Sequence, residues 1–122
     1  MGTKNREIGA AGEDLAARML TECGYQIIDR NWRCRFGEID IICRDPGSTR
    51  LVFAEVKTRT TQQYGGAKRG IGREKYIRLR QLVSLWLSLH PDVGGGIGVR
   101  IDLIAIDATA GKVPLITHCR GI

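Results

Sequence analysis

An α/β fold is predicted by three observations. Two segments carry apolar residues at helical spacing, several short β-branched segments between and after them follow period two, and turn-forming residues fall at the junctions. The 122 residues, 43% of them hydrophobic, are enough for one core without disulfide or metal staples. A single domain over residues 1–122 is therefore expected.

Residues 4–23 read as an amphipathic helix, because Ile8, Ala11, Gly12, Leu15, Ala16, Met19, Leu20 and Cys23 share one broad arc. Gly24 supplies a C-terminal cap, and Glu13 lies at the rim of the arc. Residues 25–28, 37–43 and 51–57 read as strands. Asp45, Pro46, Gly47 and Ser48 provide turn chemistry between the second and third, which predicts an antiparallel hairpin. Residues 58–72 are rich in Thr, Gln and Gly and read as an exposed loop. A second helix over 73–89 carries Tyr76, Leu79, Val83 and Trp86 at core spacing, with Pro91 just past its end. Gly94 to Gly96 form a connector, residues 99–106 a further strand, and residues 113–117 a short edge strand.

Lys and Arg total 19 against 13 Asp and Glu, a formal charge of +6 that favours an anionic partner such as nucleic acid. Cys23, Cys34, Cys43 and Cys119 lack CxxC pairing and are expected as buried free thiols. A polar start without an apolar run behind it, and no run of about 20 apolar residues, predict a cytoplasmic protein without a membrane span.

The chemistry is expected on the hairpin. A turn centred on Gly47 and Ser48 pairs Cys43 with Val52, Ile41 with Ala54 and Asp40 with Glu55. Facing carboxylates about 5 Å apart at Cβ destabilise a sheet unless a cation joins them. Period two puts Lys57 on the face of Glu55, while Val52, Ala54 and Val56 take the other face and pack on a helix. A one-residue slip would separate Asp40 from Glu55. Two acidic oxygens completed by water and phosphate oxygens suit Mg²⁺ or Mn²⁺, which can activate a water for attack on phosphorus. Lys57 has two available roles, as the group that orients or deprotonates that water or as a charge on the phosphate. Glu13 can add a carboxylate, as a further ligand or through water. The spacing also leaves open a solvated strand face bearing a surface ion pair.

Gly37, Glu38, Ile39 and Asp40, followed after a turn by Phe53, Ala54, Glu55, Val56 and Lys57, resemble the PD-(D/E)XK nuclease signature. Together with Gly9, Gly12 and Glu13, with Asn31 and Arg33, and with Thr58 and Arg59, the chain resembles the uncharacterised bacterial YraN-like family over nearly its whole length. That family is similar to archaeal Holliday junction resolvases. The resemblance implies a restriction-endonuclease-like mixed β-sheet flanked by helices, metal binding by Asp40 and Glu55 with the Val56 carbonyl, catalysis by Lys57 and a supporting acidic role for Glu13. It also implies branched or flapped DNA as substrate and a homodimer as the working form. Ile39 stands where the signature name has proline.

Lys68, Arg69, Arg73, Lys75, Arg78 and Arg80 against Glu74 give a local charge of 6 − 1 = +5 across the loop and second helix, a grip for phosphates. Arg30, Arg33 and Arg35 surround Trp32, which is read as a core residue. The leading reading is a Mg²⁺-dependent endonuclease; the alternative is a non-catalytic nucleic-acid-binding module on the same fold. A zinc site from Cys34, Cys43, Cys119 and His118 lacks paired ligand spacing.

Overall fold

The computed structural model describes residues 2–60, 70–94, 98–109 and 111–122, with side chains from residue 7 onward. Helix α1 (Gly2–Glu22) leads into β1 (Gln26–Cys34), β2 (Gly37–Arg44) and β3 (Leu51–Arg59). Helix α2 (Arg73–Leu89), the short α3 (Pro91–Gly94), β4 (Val99–Asp107) and β5 (Leu115–Cys119) follow. The strands form one five-stranded sheet in the order β1-β2-β3-β4-β5. Only β3 and β4 pair in parallel, and α2 makes the crossover between them; the other neighbours are antiparallel. The fold is thus α/β, with a mixed sheet flanked by helices. Among the described residues no helix is long and apolar enough to cross a membrane.

Alternation along β3 divides its side chains between two cores. Val52 and Ala54 join Ile41, Cys43, Ile104 and Ile106 beneath Ala16, Ala17 and Leu20 of α1. Leu51 and Phe53 join Ile42, Ile39 and Ile101 beneath Leu79, Leu82, Val83 and Trp86 of α2, with Trp32 packed at the margin. Phe53 meets Trp86 edge to face at 5.5 Å between ring centres. Because both faces of β3 are covered, its buried run reads as continuous instead of alternating.

The first helix ends as its sequence predicts. Gly24 takes φ +92°, Tyr25 N–H donates to Leu20 O at 2.9 Å, and Gly24 N–H donates to Thr21 O at 3.0 Å. Ala11 and Cys23, expected in its core arc, are exposed, whereas Ala17 is buried; of the four thiols expected to be buried, Cys43 is, while Cys34 and Cys119 are half-buried. The buried stripe centres on Gly12, Ala16 and Leu20 and turns toward Ala17, and Cys23 lies past the helix end.

Several strand limits differ from expectation. Strand β1 runs on to Cys34, because as an edge strand it tolerates the polar stretch Asp29 to Asn31, with a register shift between Ile27 and Asp29. Strand β5 begins at Leu115 and reaches Cys119 instead of spanning 113–117. Pro114 has no N–H to give a ladder, so pairing starts after it. The expected loop over 58–72 is strand as far as Arg59, and residues 61–69 lie outside the described residues.

Arg100 fixes the turn end of the β2–β3 hairpin to β4. Its guanidinium donates to Asp45 Oδ2 at 2.6 Å, to Asp102 Oδ1 at 2.9 Å and to Tyr25 Oη at 3.0 Å. Asp102, fully buried, also accepts from the Gly121 N–H at 3.0 Å and meets His118 Nε2 at 2.7 Å. Burial opposes ionisation of Asp102, but the hydrogen bonds from His118, Arg100 and Gly121 outweigh it and hold its carboxyl below the usual range.

At the other end of the hairpin α1 lies close against β3. A Cβ on Gly12 would stand 2.0 Å from Thr58 Oγ1 and 3.1 Å from Thr58 Cβ, and Thr58, branched at Cβ, has little room to turn away. Gly12→Ala gains helix propensity of about 1 kcal/mol and meets an overpacking cost of about 1–3 kcal/mol. Urea denaturation should show Gly12→Ala less stable than the parent, and Thr58→Ala should restore the double variant. An alanine at 12 that stabilises the chain by itself would show that α1 is not seated on Thr58.

Candidate active site

The hairpin register is the expected one: Cys43 pairs with Val52 and Ile41 with Ala54. Asp40 and Glu55 come next in that register, but the ladder gives way there to a side chain. Asp40 Oδ2 accepts the Val56 N–H at 2.8 Å. Asp40 and Glu55 both border one cavity of about 210 Å³, with Gly37, Glu38, Lys75, Arg78, Leu79 and Leu82. They are 6% and 9% exposed, so each carboxyl has lost most of its water.

Burial raises Asp40 first, the charge of Glu55 adds to it, and Glu13 and Glu38 contribute further. The Val56 N–H works the other way, and the net result is a carboxyl at about 8. Lys75, from the first turns of α2, sets its Nζ 2.5 Å from Glu55 Oε2. Burial pulls the Lys75 ammonium down, but the hydrogen bond to Glu55 and the fields of Glu55, Asp40 and Glu38 leave it above its ordinary value.

Lys57 shares the sheet face of Glu55, as period two requires, but it is not among the residues lining the cavity. Its half-buried chain carries Nζ to the Gly70 carbonyl at 3.0 Å, at the approach to α2. Val56 faces the α1 core through its side chain, leaving its backbone at the site. Glu13 is half-buried at the rim of α1, and burial raises its carboxyl, helped by Glu38 and opposed by Asn31, Arg30 and Arg33. The Asn31 side chain that bonds it projects from a left-handed backbone, φ 54°, in β1. Among the described residues no cluster of three or more His, Cys, Asp or Glu could hold a metal. Glu13 acts on Asp40 through its field.

Of the expected phosphate grip, Lys68 and Arg69 lie outside the described residues. Arg73 is exposed at the start of α2, and Arg78 borders the cavity. Arg80 instead lies over Tyr76, 5.9 Å from its ring centre. Glu38 is a member of the site that sequence reading overlooked, although it stands two residues before Asp40 on the same strand. Arg33 Nε pairs with it at 3.0 Å. The Cys34, Cys43, Cys119 and His118 arrangement gathers no zinc site: His118 is held by Asp102, and burial pushes the Cys43 thiol up to about 12.

A protein-family model described as "Uncharacterised protein family UPF0102" matches residues 12–106. A UPF0102 protein of Mycobacterium sp. (strain KMS) is 44% identical over 115 residues, covering 94% of this chain and 84% of the relative. One from Streptomyces griseus subsp. griseus is 46% identical over 115 residues, 94% of both chains. One from Mycolicibacterium vanbaalenii is 43% identical over 122 residues, 99% of this chain and 98% of the relative. The match spans the hairpin, α2 and the part of α1 from Gly12 onward.

The raised Asp40 carboxyl gives a pH signature. The folded chain keeps a proton that the unfolded chain releases near 3.8, so between there and about 8 the native state binds more protons. Stability of the metal-free protein should thus fall as pH rises through that window. Melting temperatures followed across it should show this decline in the parent and a flatter profile in Asp40→Asn; equal slopes would show that Asp40 ionises normally.

Proposed function

The chain belongs to the uncharacterised protein family UPF0102, and on that premise we propose that it is a metal-dependent nuclease hydrolysing nucleic-acid phosphodiester bonds. Branched or flapped DNA is the substrate class that the likeness to junction resolvases favours. The observation that carries the reading is the pair of buried carboxyls, Asp40 and Glu55, bordering one cavity with an ammonium already drawn to them.

Such a pair fits a divalent cation. Lys75 supplies one positive charge at Glu55, yet Asp40 is still held in its protonated range by burial and by its neighbours. Two carboxylate oxygens and the Val56 carbonyl would give Mg²⁺ or Mn²⁺ an oxygen-only donor set, with water and phosphate oxygens filling the remainder. When bound, the ion supplies Lewis-acid polarisation of the phosphoryl oxygen and lowers the pKa of a water.

The chain's own residues supply the positioning. The Val56 N–H fixes the rotamer of Asp40, and the α1-side core fixes the backbone of Val56. Lys57, anchored at the Gly70 carbonyl, stands on the chemical face to orient the attacking water or to offset charge gathering on the phosphate. Lys75 is placed to exchange Glu55 for a substrate phosphate, and Arg78 at the cavity and Arg73 exposed at the start of α2 extend the cationic grip. Glu13 holds its negative field against Asp40 and so favours a cation there.

Labelled single-stranded, duplex, flap and four-way substrates incubated with Mg²⁺, Mn²⁺ or chelator test the proposal. Cleavage should require the metal and fall roughly 100-fold or more in Asp40→Ala, Glu55→Ala and Lys57→Ala, the scale seen when one transition-state stabilising group is removed. Metal-independent binding with no cleavage of any substrate would instead identify a non-catalytic nucleic-acid-binding module.

A further inference from the structure

An exposed aromatic ring beside the carboxylates has no part in that chemistry. Phe36, in the turn between β1 and β2, is 62% exposed. With Arg78, Gln81, Leu82 and Leu85 it borders a second pocket of about 380 Å³, a size within the range of small-ligand sites. Arg78 and Leu82 border the carboxylate cavity as well, so the two hollows adjoin along α2.

Gly37 borders the carboxylate cavity at φ +145°, where a Cβ would come within 3.2 Å of Leu82 Cδ1 and 3.8 Å of Arg78 Cδ. Glycine thereby lets the start of β2 approach α2 without filling the junction. The Arg35 guanidinium carbon stands 5.2 Å from the Phe36 ring centre. The pocket therefore has an apolar aromatic floor, a carboxamide and two nearby guanidinium groups, and no acid among its described lining residues. An apolar peptide would not use the cations, and an isolated phosphate would not use the ring. A flat base attached to a phosphate uses both.

We propose that Phe36, Leu82, Leu85 and Arg78 form a shelf for an unpaired nucleobase, adjacent to the phosphate in the Asp40–Glu55 cavity. The placement of that phosphate rests on the nuclease reading; the shelf itself is open to a binding measurement. A base in an intact duplex keeps both faces stacked, so the shelf selects single-stranded, flapped or frayed nucleic acid.

The test is fluorescence anisotropy with a labelled blunt duplex, the same duplex with an unpaired overhang, and that overhang made abasic, each as DNA and as RNA. Phe36→Ala should weaken overhang binding roughly 5- to 100-fold, and Phe36→Trp should retain it. Abasic substitution should weaken the parent to a similar degree, and the two losses should not add, because each removes the same stack. The DNA and RNA arms identify which nucleic acid supplies the base. Equal effects on duplex and overhang, no effect of Phe36→Ala, or indifference of the parent to abasic sites would each overturn the shelf. Base-dependent binding without cleavage would defeat the nuclease reading and leave the shelf standing, while cleavage with a silent Phe36→Ala would defeat the shelf alone.

Discussion

Burial of Asp40 beside the charge of Glu55, each carboxyl withdrawn from most of its water, is the constraint around which the site is arranged. A carboxylate removed from water demands a proton, a hydrogen bond or a cation. Asp40 has the first two, a raised pKa and the Val56 N–H, and Glu55 has the third in Lys75. Replacing buried charged groups by well-packed apolar residues is often neutral or stabilising, so the fold does not need this pair for its stability.

The fold holds the pair in place from three sides. Beneath it, Ile41 and Ala54 lock the hairpin register, so a one-residue slip would bury polar groups and expose the core of α1. On one face α1 comes close enough at Gly12 to touch Thr58, which brings Glu13 within electrostatic range of Asp40. On the other face α2 packs Leu79 and Leu82 against the site and extends Lys75 and Arg78 over it. The hairpin's far end is tied by Arg100 to Asp45 and Asp102. The strands that carry the acids are therefore tied at the turn, and the β2–β3 ladder ends at the cavity.

Under the nuclease reading proposed above, this division between a tied hairpin turn and an opened strand end is what a positioned catalytic group requires. Helices α1 and α2 cover the two faces of β3, so its polar residues, Glu55, Lys57, Thr58 and Arg59, are confined to the end where α2 begins. Phe36 and Gly37 lie at the same end of β2, and the apolar shelf and the acidic cavity become neighbours for that reason.

Much of this was legible in the residues. Gly24 marked the end of α1, Asp45 to Ser48 marked the hairpin turn, and the symmetry of that turn gave the register that sets Asp40 beside Glu55. Period two placed Val52, Ala54 and Val56 together against α1, and the core spacing of α2 identified Leu79, Val83 and Trp86. These features are local, written into turn chemistry and side-chain alternation over a few residues. Tertiary structure decided the rest. No local pattern says that Lys75 will reach across to Glu55, that Lys57 will be held by Gly70, or that Arg100 will gather Asp45, Asp102 and Tyr25. Each depends on which way the crossover helix lies over the sheet, and on charged groups many residues apart losing water together, a coupling that exists only once the chain has closed.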